Sequence, residues 1–107
     1  MTAWRVEFIT EAKKDMESLD RSQRLQVQKA IHKVSTNPLP QNEGGYGKPL
    51  GNKYSNNLTG LLKIKLVKLG IRVVYKLIRT DEMMKIIVIA ARADDEVYDI
   101  ASMRIDK

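Results

Sequence analysis

The chain has 107 residues, enough for one small domain over 1–107 and too few for a second hydrophobic core. Its composition, 43% hydrophobic and 30% charged, is that of a folded protein, and the lack of cysteine excludes disulfides and cysteine-ligated metals. Nineteen Lys and Arg against 13 Asp and Glu give a net charge of +6, which invites a polyanionic partner: nucleic acid, an acidic membrane or an acidic protein.

Residues 4–9 alternate large apolar and charged side chains, the period of a strand. Thr10 is placed to cap a helix in which Ala12, Met16 and Leu19 form one apolar stripe. Asp20 and Gln23 then have the spacing of a capping box, and Val27, Ala30, Ile31 and Val34 mark a second amphipathic helix that Pro38 stops. The two helices form a hairpin that needs a sheet to cover. Residues 38–60 hold all three prolines and no sustained period, so they read as a loop with a short turn around Lys48-Pro-Leu50. The glycines at 44, 45 and 47 lack the Gly-Lys-Ser/Thr ending of a phosphate loop.

From Leu61 the period becomes two. Strands are expected at 62–67, 71–78 and 83–91, with turns at 68–70 and 80–82. Asp94 or Asp95 then opens a short final helix carrying Val97, Ile100, Ala101 and Arg104. The order β-α-α-β-β-β-α predicts an α+β domain, with the helices packed on one face of a small, mostly antiparallel sheet.

On the strand at 62–67, Lys63 and Lys65 share a face, and a turn of two or four residues sets Lys65 opposite Arg72 on the next strand. Like charges facing one another in a sheet are destabilising, so such a pair either makes a place for an anion or is an ordinary solvated face, and the pattern alone favours the solvated face. Arg92 at a strand end and Tyr98 on the last helix have ordinary structural readings: an ion pair with Asp94 or Asp95, and a ring tucked onto the sheet. His32 is the only histidine and reads as a surface helix residue, so a histidine pair for acid–base work and His/Cys metal sites are both excluded. No cofactor or metal is expected.

Lys-Pro-Leu-Gly at 48–51, Leu-Thr-Gly-Leu-Leu-Lys-Ile-Lys at 58–65, Gly-Ile-Arg-Val-Val-Tyr at 70–75, and Ala91-Arg92 followed by Glu96-Val-Tyr98 resemble the RelE toxin family over nearly the whole chain. Asp94 stands where the family pattern carries a second arginine, Leu62 and Ile71 stand where many relatives have aromatics, and the loop from 51 to 58 looks long. The resemblance implies the toxin of a type II toxin–antitoxin system, a metal-independent endoribonuclease that cleaves mRNA in the ribosomal A site and so inhibits translation. It implies a catalytic set of Lys63, Lys65, Arg72, Arg92 and Tyr98. The implied partners are an acidic antitoxin, the ribosome with its mRNA, and operator DNA through the antitoxin complex.

Crowded cations disfavour one another's charge, so a lysine among them can accept a proton near neutral pH. Lys65 is the candidate base, with Lys63 or Tyr98 as helpers, Arg72 and Arg92 as phosphate and leaving-group ligands, and Tyr98 also able to stack on a base. Two other readings stand beside this one: a ParE-like gyrase inhibitor without nuclease activity, and a non-catalytic basic module acting with an antitoxin on operator DNA. No apolar run approaches the ~18 residues of a membrane span, and residues 1–9 lack a signal-peptide core. The expected location is the cytoplasm of a bacterium or archaeon.

Overall fold

The computed structural model describes residues 3–53 and 56–105, without the side chains of 51–59, 94 and 95. Strand β1 (Arg5–Phe8) leads into helices α1 (Thr10–Glu17) and α2 (Arg21–Ser35). Strands β2 (Lys48–Lys53), β3 (Asn56–Leu66), β4 (Ile71–Ile78) and β5 (Met83–Ala90) follow, and helix α3 (Asp94–Ile105) comes last. The sheet runs β1-β5-β4-β3-β2, parallel only between β1 and β5, so the expected α+β fold with a mostly antiparallel sheet holds.

The hairpin of α1 and α2 forms as its periodicity predicts. Ala12, Met16, Val27, Ile31 and Val34 are buried against Leu62, Val73, Tyr75 and Ile86 on one face of the sheet. The Asp20 carboxylate accepts from the Gln23 N–H at 2.8 Å, and the Asp20 N–H donates to the Gln23 side chain at 3.2 Å, completing the capping box. Thr10 does not cap α1; it is the first helical residue, and Ile9 at the cap position offers no side-chain bond. His32 is exposed on α2, as expected.

Two expectations need correction. Residues 48–58 are not loop: Gly51 pairs with Leu58, Asn52 with Asn57 and Lys53 with Asn56, so β2 and β3 form a hairpin and the order gains a strand. Pro49, Gly51 and the polar residues that follow them carry no period-two signal, and the pairing with β3 makes the strand instead. Nor do all helices share a face. Val97, Tyr98 and Ala101 of α3 pack on the opposite face, over Leu50, Leu61, Val74 and Val88.

A bulge in β5 serves both layers. Val74 pairs with Val88 while Tyr75 pairs with Ile86, so Ile87 is an extra residue. Ile86 and Ile89 face the α1–α2 layer, whereas Ile87 and Val88 both face α3. β1 pairs with β5 only as far as Ile86, and beyond it polar side chains satisfy the strand edge. The Asp15 carboxylate accepts from the Ile89 N–H at 3.0 Å, and the Arg104 guanidinium donates to the Ile87 carbonyl at 2.8 Å. Asp15 and Arg104 also bond each other at 2.7 Å, clamping α3 to α1 around the edge.

Candidate active site on the face under α3

The hairpin of β3 and β4 turns through residues 67–70, where Gly70 takes φ +66° and its N–H donates to the Val67 carbonyl at 3.2 Å. The four-residue connection keeps the expected register, with Lys65 directly across from Arg72 and Lys63 across from Val74. Val74 lies in the core beneath α3, so alternation sets Lys63, Lys65 and Arg72 on that same face. The row of cations continues sideways, because Lys48 of β2 pairs with Lys63.

Helix α3 brings Tyr98 to this row. The residue is 1% exposed, its ring tucked among Leu61, Val74 and Val88, while the Lys63 ammonium donates to its hydroxyl at 2.6 Å. The ammonium lies 5.3 Å from the ring centroid, out beyond the hydroxyl and not above the ring face. With the whole residue so closed, Tyr98 acts in this conformation through the Lys63 ammonium that its hydroxyl holds. Stacking on a base would require α3 to move.

Arg92 follows β5 at the entrance to α3, and its carbonyl accepts a hydrogen bond from the Arg72 guanidinium at 2.5 Å. That bond ties β4 to the β5–α3 junction and holds Arg72 at the rim. The Arg92 side chain is exposed and pairs with Glu96 at 3.2 Å, one helical turn on; the expected pairing with Asp94 or Asp95 falls on side chains outside the described set. The Val97 N–H donates to the Ala93 carbonyl at 3.1 Å, so Asp94, Asp95 and Glu96 make the first turn of α3; the expected capping by Asp94 or Asp95 falls on side chains outside the described set. Lys65 is exposed and makes no ion pair among the described residues.

Four of the five residues expected from the sequence are thus linked in two pairs, Lys63 with Tyr98 and Arg72 with the Arg92 backbone, and Lys65 stands beside Arg72. Such a strip of cations suits a phosphodiester, with a phenol and an ammonium already sharing a proton bond at one end. Among the described residues no three His, Asp or Glu side chains converge as metal ligands, and no helix is long and apolar enough to cross a membrane. The sequence reading passed over Lys48; its register opposite Lys63 is a property of a strand it had not recognised.

These features define a small α+β protein with a cationic face under its C-terminal helix. No family model and no curated protein sequence matches the chain. Solved structures do. A doubly arginine-substituted RelE toxin of E. coli in the free state is 25% identical, with a TM-score of 0.73 over 97% of this chain and 99% of its own. The isolated E. coli RelE toxin is 27% identical, with a TM-score of 0.69 over 96% of this chain and 99% of its own. A RelE toxin–antitoxin complex from Mycobacterium tuberculosis, 24% identical, shares the fold with a TM-score of 0.69 over 88% of this chain and 97% of its own. Fold and likeness together support a RelE-family toxin.

Proposed function

We propose that this protein is the toxin of a type II toxin–antitoxin pair and a ribosome-dependent endoribonuclease acting on mRNA in the A site. The observation that carries the reading is the cationic row Lys63, Lys65 and Arg72, with Tyr98 bonded to Lys63 and the Arg92 backbone bonded to Arg72. In the proposed step the ribose 2′-oxygen attacks the adjacent phosphorus and gives its proton to Lys65 acting as the neutral amine, assisted by the Lys63–Tyr98 pair. Arg72 stabilises the charge that builds on the phosphorane oxygens. The bond from phosphorus to the 5′-oxygen breaks, Arg92 stabilises the departing oxygen, and that oxygen takes up a proton from water. The products are a 2′,3′-cyclic phosphate and a 5′-hydroxyl.

In this reading the ribosome supplies the positioning of the message. An E. coli RelE toxin mutant that is 26% identical to this chain has been solved in complex with an antitoxin peptide. That likeness supports an antitoxin partner here, and a surface of net charge +6 suits an acidic one. The same complex would act at operator DNA, and the setting is cytoplasmic.

Ribosomes programmed with a defined message test the reading. The protein should cut the message in the A site and leave a 5′-hydroxyl, and a single 2′-deoxy sugar at the cut site should block cleavage. Normal cutting of the 2′-deoxy message would overturn the mechanism.

A further inference from the structure

The cationic face does not end at β3. Strand β2 begins at Lys48, opposite Lys63, so the stretch Ile64–Leu66 of β3 has no strand beside it on that side. A groove of about 310 Å³ runs over this open edge. Its walls include Lys33 and Val34 of α2, Tyr46 and Lys48 on the approach to β2, and Lys65 and Val67 at the end of β3. No carboxylate lies among its described lining residues.

Several arginines elsewhere on the surface are neutralised by a neighbouring carboxylate. Arg79 is held by Glu43 at 2.9 Å, Arg92 by Glu96 at 3.2 Å and Arg104 by Asp15 at 2.7 Å. Lys33, Lys48 and Lys65 come from three different elements to one groove, and none has an acidic partner among the described residues. The Lys33 ammonium lies 5.5 Å from the centroid of the Tyr46 ring.

Tyr46 is itself unusual, an aromatic left 49% exposed on a loop that is tightly built. Its N–H donates to the Asn37 carbonyl at 3.0 Å, the Gly47 N–H to Leu39 at 3.0 Å, and the Gln41 N–H to Gly47 at 2.8 Å. The flanking glycines are required by space. A Cβ at Gly45 would lie 2.0 Å from the Leu39 carbonyl oxygen, and one at Gly47 would lie 2.3 Å from the Tyr75 hydroxyl. The Asn37 side chain closes the loop by donating to the Gly44 carbonyl at 3.2 Å. An exposed ring fixed in place, with unneutralised lysines on both sides, has the chemistry of a single-stranded nucleic-acid track. The ring stacks a base and the ammonium groups follow the phosphates.

We propose that this groove binds single-stranded RNA, with Tyr46 stacking one base, Lys33 and Lys48 following the backbone, and Lys65 at the end of the track beside the reacting phosphate. The track feeds the strip at Lys63, Lys65 and Arg72 and holds the RNA that flanks the reacting phosphate. It deepens the nuclease reading through Lys65, which the two share, but binding can be measured without cleavage.

The test uses the full chain and a short fluorescent oligoribonucleotide, 2′-O-methylated throughout so that it cannot be cut, with 2-aminopurine at one position to report stacking. Lys33→Ala with Lys48→Ala should weaken binding at least tenfold, and should lower the slope of log affinity against log salt by roughly 1.4, at about 0.7 per lost phosphate contact on a single strand. Tyr46→Ala should abolish the quenching of 2-aminopurine and weaken binding roughly 5- to 150-fold, the range for one lost base–aromatic stack. Lys13→Ala with Lys14→Ala removes the same charge from the exposed side of α1 and should change little; melting curves confirm that each variant is folded. The track is overturned if the two double variants weaken binding equally, or if quenching survives Tyr46→Ala. RNA bound through the groove but left uncut on ribosomes would uphold the track and defeat the nuclease reading. Cutting by the wild type, with full RNA affinity in the groove variants, would do the reverse.

Discussion

The Lys63 ammonium and the Tyr98 hydroxyl lie 2.6 Å apart, joining β3 to α3 across 35 positions of the chain. The bond couples the position of the last helix to the protonation chemistry of the cationic face. Tyr98→Phe keeps the buried ring and deletes only the hydroxyl. Its cost in stability should stay near 1 kcal/mol, the ordinary worth of one hydrogen bond. Cleavage of ribosome-bound message should nevertheless fall about 10²-fold, the lower end of what a positioned acid–base group contributes. Single-turnover rates together with a melting curve check both halves. An unchanged rate would remove Tyr98 from the machinery.

Arg92→Ala should abolish growth arrest on expression and leave the fold intact. The side chain is exposed, and its pair with Glu96 is a surface i,i+4 contact of the kind worth at most about 0.5 kcal/mol. The bond from Arg72 reaches the backbone of residue 92, so it survives the substitution. Circular dichroism and a plate assay suffice, and a folded variant that still arrests growth would sink the assignment.

Arg104→Ala should loosen α3. It removes the bonds to Asp15 and to the Ile87 carbonyl, groups about four-fifths shielded from water, at a cost of about 2 kcal/mol and roughly 10 °C in Tm. Hydrogen exchange should quicken first over 96–105, since few apolar side chains besides Val97, Tyr98 and Ala101 hold the helix. The same segment is expected to lose protection or change position when an antitoxin binds. Protection that is equal with and without antitoxin would argue against that displacement.

Tyr75→Phe should change the response to alkali. Burial raises the Tyr75 pKa above the ordinary tyrosine range, and its hydroxyl donates to the Pro38 carbonyl at 2.8 Å. The folded protein therefore keeps a proton that the unfolded chain releases. This stabilisation is whole below the ordinary value of about 10 and is lost as pH rises above it. At neutral pH the variant should be less stable by about 1–2 kcal/mol, because the Pro38 carbonyl loses its donor. Above pH 10 the gap should narrow. Denaturant titrations of both proteins at neutral and alkaline pH measure it, and a constant gap would contradict the assignment.

The parts of this fold written in local periodicity were legible in the sequence. The α1–α2 hairpin follows from Ala12, Met16, Val27, Ile31 and Val34, and the Asp20–Gln23 cap from spacing alone. The pairing of Lys65 with Arg72 survived uncertainty about the turn because two-residue and four-residue connections give the same register. Arg92 and Tyr98 had ordinary structural readings, and both of those hold in part: Tyr98 is tucked against the sheet and Arg92 is ion-paired. Only family resemblance singled them out. Strand β2 was hidden because Pro49 and Gly51 suppress strand character locally, while the ladder to β3 supplies it from a distance. The face taken by α3 was hidden too, since the apolar run 83–90 gives no sign of the bulge at Ile87 that turns two successive residues toward the last helix. The Tyr46 loop looked like plain loop because its rigidity lies in backbone bonds and in two absent β-carbons.

The facing pairs Lys48–Lys63 and Lys65–Arg72 also bear on handling and turnover. Each sets like charge against like charge across a strand pair, a repulsion that exists in the folded chain and is relieved on unfolding. Any anion that prefers the folded form raises its stability in proportion to the logarithm of its concentration. Phosphate, heparin or RNA should therefore protect the protein from heat and proteases in a graded way, and washing a preparation free of polyanions should leave it at its most fragile. In a cell the same arithmetic makes lifetime a reporter of occupancy: the molecule engaged with a polyanion outlasts the idle one.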